Sequence, residues 1–307
     1  MDATPWVRLP EGASPGTPPA DLGELRIGPS TFRWGARTYV MGIVNVTPDS
    51  FSGDGLLAGD STAVETGAAV EAAVALGRRM VTEGADILDV GGESTRPGHA
   101  PVTAAQERAR VVPVIEALRS ALPEVVLSID TTKAEVAERA LDAGADMIND
   151  VWGVAAEPEL LRLAAARGVP LVLMHNRAEA RYANVVAEVI AELESAVERA
   201  EAAGVAREAV VIDPGIGFGK TPEQNLALLH DLGLLRVLRR PVLLGTSRKS
   251  TIGRVLDLPP GERLEGTLAT TALAVAAGVD VVRVHDVAPN VRAARMADAV
   301  VRAAGRP

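Results

Sequence analysis

The chain has 307 residues, 48% of them apolar but only 3% aromatic, with a net charge of −9 and no cysteine. That apolar share supports one large domain or two ordinary ones, with a core mostly of Val, Leu, Ala and Ile. The missing thiols exclude disulfides, cysteine nucleophiles and thiolate metal sites, and the acidic balance without a long basic stretch argues against a nucleic-acid surface.

The chain opens with "MDATPWVRLPEGASPGTPPADLG", rich in Pro and Gly and lacking the basic start and apolar run of a signal peptide. Residues 1–24 are expected to be a short flexible N-terminal tail, and residues 25–307 one domain. No apolar run is long enough to span a bilayer, and a cytoplasmic location is expected. Short, near-continuously apolar runs then follow at 39–45, 85–90, 125–130, 145–150, 170–175, 209–213, 241–246 and 279–284. Each has the character of a strand buried on both faces. Amphipathic helices fall between them, as at 62–83, 104–121, 184–203 and 288–304. Several end in the same punctuation, "EGAD" at 83–86, "AGAD" at 143–146 and "AAGVD" at 276–280. A glycine there ends a helix before the next strand, a structural rather than a functional signature. Eight β–α units indicate an α/β fold, a (β/α)8 TIM barrel. A doubly wound open sheet is the alternative, but the early G-x-G-x-x-G of a dinucleotide site is missing.

The stretch "DPGIGFGKT" (213–221) resembles a phosphate-cradling loop. The spacing is wrong for one. Four residues must separate the first glycine from the Gly-Lys pair, and counting back from Gly219-Lys220 reaches Pro214. The glycines serve something other than a nucleotide.

Barrel active sites lie at the C-terminal ends of the strands. There the sequence has Asn45, Asp130, Asn149, Asp213, Lys249 just after the seventh strand, and Arg283 and His285 at the eighth. Arg283 and His285 are two apart and leave the same face. Singly, each has a plain structural reading. Asp130 could cap the following helix, Asn149 a turn, Arg283 could pair with a carboxylate, and His285 could be a satisfied structural histidine. Jointly, such a ring would cost much desolvation if it served structure alone. Carboxylates and an amide suit a flat heterocycle with several N–H donors, and the cations suit an anion. The segments 45–55 and 91–98 carry loop residues, and are expected to act as lids over a substrate.

The motifs "GIVNVTPDSFS", "DVGGESTRPG", "SIDT", "IND", "LMH", "DPGIGFGK", "SRKS" and "RVHDV" occur in the order seen in dihydropteroate synthases. From about residue 39 to the C-terminus the chain resembles that family. The resemblance implies joining of p-aminobenzoate to 6-hydroxymethyl-7,8-dihydropterin diphosphate, giving 7,8-dihydropteroate and diphosphate, in folate biosynthesis. It implies that Asp130, Asn149, Met174, Asp213, Gly217 and Lys249 bind the pterin. Asn45, Arg96, Arg283 and His285 would bind the diphosphate, with Asn45 also a Mg²⁺ ligand. Phe51, Thr95, Pro97, Phe218 and Ser250 would form the p-aminobenzoate site, Asp49 and Arg96 would order the closed loops, and Lys220 would be structural or peripheral. Catalysis would fall to Lys249, Arg283, His285, Asp130 and Asp213 through dissociative loss of diphosphate. Relatives are usually homodimers, and a homodimer is expected here.

Two departures stand out. "FSGDGLL" replaces the more usual "FSDGG", which shifts Asp54 by one, and the segment after "LMH" is short. Two other readings compete. A pterin-binding methyltransferase module would share the pocket but has no need of "STRPG" or "SRKS". A non-catalytic paralogue should have lost anion-binding residues, yet Arg96, Lys249, Arg283 and His285 are all present.

Overall fold

The computed structural model describes residues 22–46, 63–93 and 102–303. A hairpin comes first, β1 (Glu24–Ile27) and β2 (Ser30–Arg33). The remaining strands are β3 (Tyr39–Asn45), β4 (Ile87–Gly91), β5 (Val126–Asp130), β6 (Met147–Asp150), β7 (Leu171–Met174), β8 (Val210–Asp213), β9 (Leu243–Leu244) and β10 (Val281–Val284). Their helices are α1 (Ala63–Glu83), α2 (Ala104–Ala121), α3 (Ala134–Asp142), α4 (Pro158–Arg167), α5 (Val185–Ala202), α6 (Pro222–His230), α7 (Ser250–Leu256), α8 (Leu264–Ala276) and α9 (Val287–Ala303). The strands from β3 to β10 run parallel in the order β8-β7-β6-β5-β4-β3-β10-β9. A bridge between Ile212 and Val242 joins the two ends and closes the barrel. All eight expected strands are present, although the seventh is only two residues of regular ladder.

The pleat of the strands sorts their residues into two cores. Outward residues such as Val40, Leu88, Leu127, Ile148, Leu173 and Ile212 pack under the helices. Inward residues Met41, Ile87, Val126, Met147, Val172, Val211, Leu243 and Val281 fill the lower barrel. The hairpin, which periodicity alone did not reveal, closes that end. Ile27, Phe32 and Trp34 join the same inner core, and the Phe32 and Tyr39 rings lie 4.6 Å apart. Two residues further along each strand the inward positions are Ile43, Asp89, Ser128, Asn149, Met174, Asp213, Gly245 and Arg283. The interior therefore changes from apolar to polar within one step of the pleat.

The repeated Gly-x-Asp punctuation has a specific use. Each aspartate at a strand start accepts the backbone N–H of the preceding strand: Asp86 from Val40 at 2.9 Å, Asp146 from Leu127 at 2.8 Å, and Asp280 from Val242 at 3.0 Å. These side chains stitch the bottom of the barrel, remote from the polar end. Asp146 also pairs with Arg119 across the end of α2. Asp146→Ala is expected to lower unfolding free energy by about 2–3 kcal/mol, because a buried N–H and a charged partner lose their acceptor. Urea unfolding checks this, and turnover in the folded fraction should be unchanged.

Candidate active site

The expected site residues arrive at the upper barrel from separate elements. Asn45 ends β3, Asp130 ends β5, Asn149 lies on β6, Met174 ends β7, Asp213 ends β8, and Arg283 lies on β10 with His285 just beyond it. Lys249 sits at the start of α7, in the loop after β9. Gly91 and Gly245 carry no side chain between them and so leave room. A Cβ at Gly91 would lie 3.6 Å from Asp130 Oδ2 and 3.8 Å from Asn45 Oδ1, and one at Gly245 would lie 3.9 Å from Lys249 Nζ and 3.8 Å from Arg283 Cβ.

The charges interlock. Arg283 Nε donates to Asp89 Oδ2 at 2.6 Å, and Arg283 Nη2 donates to Asp130 Oδ2 at 2.6 Å. Asn149 Nδ2 donates to the same Asp89 oxygen at 3.0 Å. Asp213 accepts the backbone N–H of Gly215 at 2.7 Å. Lys249 Nζ donates to the Ile216 carbonyl and stands 4.3 Å from the centroid of the Phe218 ring, a cation–π contact. His285 is held from behind by Ser247. The Ser247 hydroxyl oxygen accepts the His285 backbone N–H at 3.1 Å and lies 3.0 Å from His285 Nδ1. This contact at Nδ1 fixes the orientation of the ring.

Burial governs the ionisation. It pushes the Asp130 carboxyl up to about 7 against the opposing pull of Arg283. Asp213 is also raised by burial, with Lys249 opposing. Burial lowers the Lys249 ammonium to about 8, with Asp213 acting the other way. Carboxylates raised by burial gain most from a ligand rich in N–H donors.

The glycine loop supports this pocket from outside. Lys220 is held by the loop itself. Its Nζ donates to the carbonyls of Gly215 and Phe218, each at 3.0 Å, and lies 2.9 Å from His175 Nδ1. His175 is fully buried and its Nε2 lies 3.0 Å from Glu192 Oε2. Thr221 is the N-cap of α6, in a capping box with Gln224. Lysine and threonine, which a nucleotide loop would aim at phosphate and metal, are both spent on the backbone. Gly215 and Gly217 have positive φ, and a Cβ at Gly215 would collide with the His175 carbonyl at 1.8 Å. At Gly217 it would meet the Lys249 stem at 2.9 Å. The space that Gly217 leaves is therefore taken by Lys249.

With the geometry in place, comparison with known proteins gives a consistent result. A family model described as pterin binding enzyme matches residues 41–285. A dihydropteroate synthase of Clostridium beijerinckii is 47% identical over 91% of this chain and 100% of its own length. The fold superposes on a dihydropteroate synthase of Clostridium difficile crystallised in the presence of pteroic acid, with a TM-score of 0.81, 46% identity, and coverage of 88% of this chain and 98% of that one. A Xanthomonas albilineans dihydropteroate synthase in complex with 7,8-dihydropteroate gives a TM-score of 0.77 at 44% identity, covering 88% and 95%. The chain belongs to the dihydropteroate synthase family.

As a dihydropteroate synthase, the chain brings Asn45, Asp130, Asn149, Met174, Asp213, Gly217, Phe218, Lys249, Arg283 and His285 to one end of the barrel. Ser250, at the start of α7, is exposed. Asp49, Phe51, Asp54, Thr95, Arg96 and Pro97 lie outside the described residues. Two residues were missed by sequence reasoning. Asp89 and Ser247 each hold a functional side chain, and neither lies at a strand end. The signal for Asp89 was a carboxylate inside an apolar strand, two residues after inward-facing Ile87. Among the described residues no group of three or more His, Asp or Glu is arranged to hold a metal ion. One amide oxygen at Asn45 fits a Mg²⁺ that keeps its waters and is held mainly by substrate oxygens.

The raised Asp130 carboxyl makes binding sensitive to pH. Between the usual carboxylate range and about 7 the folded protein holds a proton that the unfolded chain has released, so this group favours folding less as pH rises through that window. A pterin that donates to ionised Asp130 displaces that proton. Pterin binding is expected to weaken below pH 7, approaching about tenfold per unit, and to release close to one proton at pH 6. Calorimetry in buffers of different ionisation enthalpy measures the release, and a pH-independent affinity would contradict it.

Proposed function

We propose that this chain joins p-aminobenzoate to 6-hydroxymethyl-7,8-dihydropterin diphosphate, forming 7,8-dihydropteroate and diphosphate in folate biosynthesis. The observation that carries the reading is the joint presence, in one barrel mouth, of the carboxylate–amide set Asp130, Asn149 and Asp213 beside Arg283, Lys249 and His285. The acceptors take the N–H edge of the pterin, and Met174 packs on its ring. Arg283, His285 and Asn45 face the diphosphate. Phe218 and Ser250 would serve the p-aminobenzoate, as the family resemblance also implies for Phe51, Thr95 and Pro97.

The chemistry follows from this division. The C–O bond to the diphosphate breaks and its electron pair leaves with the diphosphate oxygen. The electron-rich dihydropterin shares the positive charge left on its CH₂ group. Asp130 and Asp213 hold the ring and oppose that charge, while Arg283 and His285 meet the charge growing on the leaving group. The aromatic amine then donates its lone pair to the CH₂ carbon and loses a proton. Mg²⁺ carried in with the diphosphate and held at Asn45 would supply further neutralisation of the leaving group.

The test mixes the protein with Mg²⁺, p-aminobenzoate and the pterin diphosphate. Dihydropteroate and diphosphate are expected, with sulfonamides competing against p-aminobenzoate; binding without turnover would overturn the reading. Arg283→Ala and His285→Ala are each expected to lower kcat by about 10²–10³-fold, and losses below about threefold would contradict leaving-group stabilisation.

A homodimer is supported by apolar side chains on neighbouring elements. Leu226 on α6, Val255 and Leu256 on α7 and Leu273 on α8 are all more than 40% exposed. Sedimentation is expected to give twice the 31.9 kDa chain mass. A single-chain mass at micromolar concentration would rule the dimer out.

A further inference from the structure

Asp89 is fully buried in the barrel and touches two residues of the site without standing at its mouth. Its Oδ2 accepts from Arg283 Nε at 2.6 Å and from Asn149 Nδ2 at 3.0 Å, while its Oδ1 has no partner among the described residues. Its counterparts on neighbouring strands in the same register are Ile43 and Ser128, neither of them charged. Stability alone explains a carboxylate there poorly. A buried ion pair is often no better than an apolar residue of the same volume.

Its effect on Arg283 is specific. Nε and Nη2 lie along one edge of the guanidinium plane, and Asp89 and Asp130 take one donor each along that edge. A bond to Nε fixes rotation about the Cδ–Nε bond and so the tilt of the plane. Among the described residues the bonds of Arg283 run from Nε and Nη2, not Nη1, which leaves the Nη1 donors for an anion. Asp130 cannot do this work alone. It must also serve the pterin, and its single bond to Nη2 leaves the plane free to swing.

We propose that Asp89 is the positioning residue that aims Arg283 at the diphosphate. This rests on the assignment of Arg283 to the diphosphate made above. Asp89 touches no substrate, and its role is exerted through the guanidinium.

The test compares two ligands. Calorimetry measures binding of inorganic diphosphate with Mg²⁺ and, separately, of 6-hydroxymethyl-7,8-dihydropterin. Asp89→Asn keeps the size and one acceptor but loses the charge. It is expected to weaken diphosphate at least about tenfold, to keep the pterin within about threefold, and to lower kcat about 10–100-fold, the scale of a small misplacement of a reacting-site group. In an Arg283→Ala background the same change should cost less than about threefold in kcat, because the group it aims is gone. Asp89→Glu, which keeps the charge but moves it, should give the same split and serves if the asparagine variant does not fold. Equal weakening of both ligands, or diphosphate affinity unchanged, overturns the proposal. Arg283→Ala that binds diphosphate as the unaltered protein does overturns the assignment of Arg283, and the role of Asp89 with it. Failure of the unaltered protein to form dihydropteroate overturns the proposed reaction instead.

Discussion

Charge burial is the constraint on which the upper barrel depends. Asp89, Asp130 and Asp213 meet Arg283 and Lys249 in a space walled by Ile43, Met174 and the ends of apolar strands. A single ion of either sign would be too costly there, and a mutual arrangement is the only one available. Arg283 is its centre, since it bonds two of the three carboxylates directly. The arrangement has two halves, the acceptors Asp130, Asn149 and Asp213 and the cations Arg283 and Lys249. Burial raises Asp130 and Asp213 against the opposing pull of Arg283 and Lys249. A ligand with several N–H donors at one end and an anion at the other completes both halves, which is why a pterin carrying diphosphate suits the cavity better than either fragment.

Such a site needs a rigid base, and the lower barrel supplies it. The inner core around Met41, Ile87, Val126 and Val211 is capped by Ile27, Phe32 and Trp34 of the hairpin. Beneath it, Asp86, Asp146 and Asp280 bind backbone N–H groups and hold adjacent strands in register. Register matters because a slip of one residue would turn every inward carboxylate out to the helices and bring Val90, Ile129 or Ile212 into the mouth. The aspartates at the bottom thus protect the placement of those at the top.

Much of this was legible before any coordinates. The alternation of apolar runs and helices gave the barrel, and the polar strand ends gave most of the site, because a parallel barrel has only one functional face. What escaped has physical reasons. The hairpin is two strands of four residues, with Glu24, Arg26, Arg33 and only a few apolar side chains, too short for periodicity to register. Asp89 escaped because attention went to the ends of strands, while the polar layer begins one pleat earlier. Ser247 acts through the back of His285 and shows no pattern of its own. Lys220 was expected to be structural or peripheral, and its partners could not be foreseen, since His175 reaches it from the far end of β7.

The same distribution of groups bears on how the amine is used. A mechanism built on nucleophile activation needs a base near the attacking nitrogen. His175 is enclosed between Lys220 and Glu192, and burial with the adjoining Lys220 holds its pKa down to about 4. Asp150 is buried beside the backbone N–H of Trp152, which it accepts at 2.9 Å. Asp89 is committed to Arg283 and Asn149. The carboxylates that do reach the mouth are engaged with Arg283, Gly215 and the expected pterin edge, and His285 is engaged by Ser247 at Nδ1. An aromatic amine needs little deprotonation before attack, because its lone pair is already free at neutral pH. In the proposed reaction the described residues would act on the other partner, drawing negative charge onto the diphosphate and tolerating positive charge on the pterin, so that the bond to the leaving group would weaken before the new one forms.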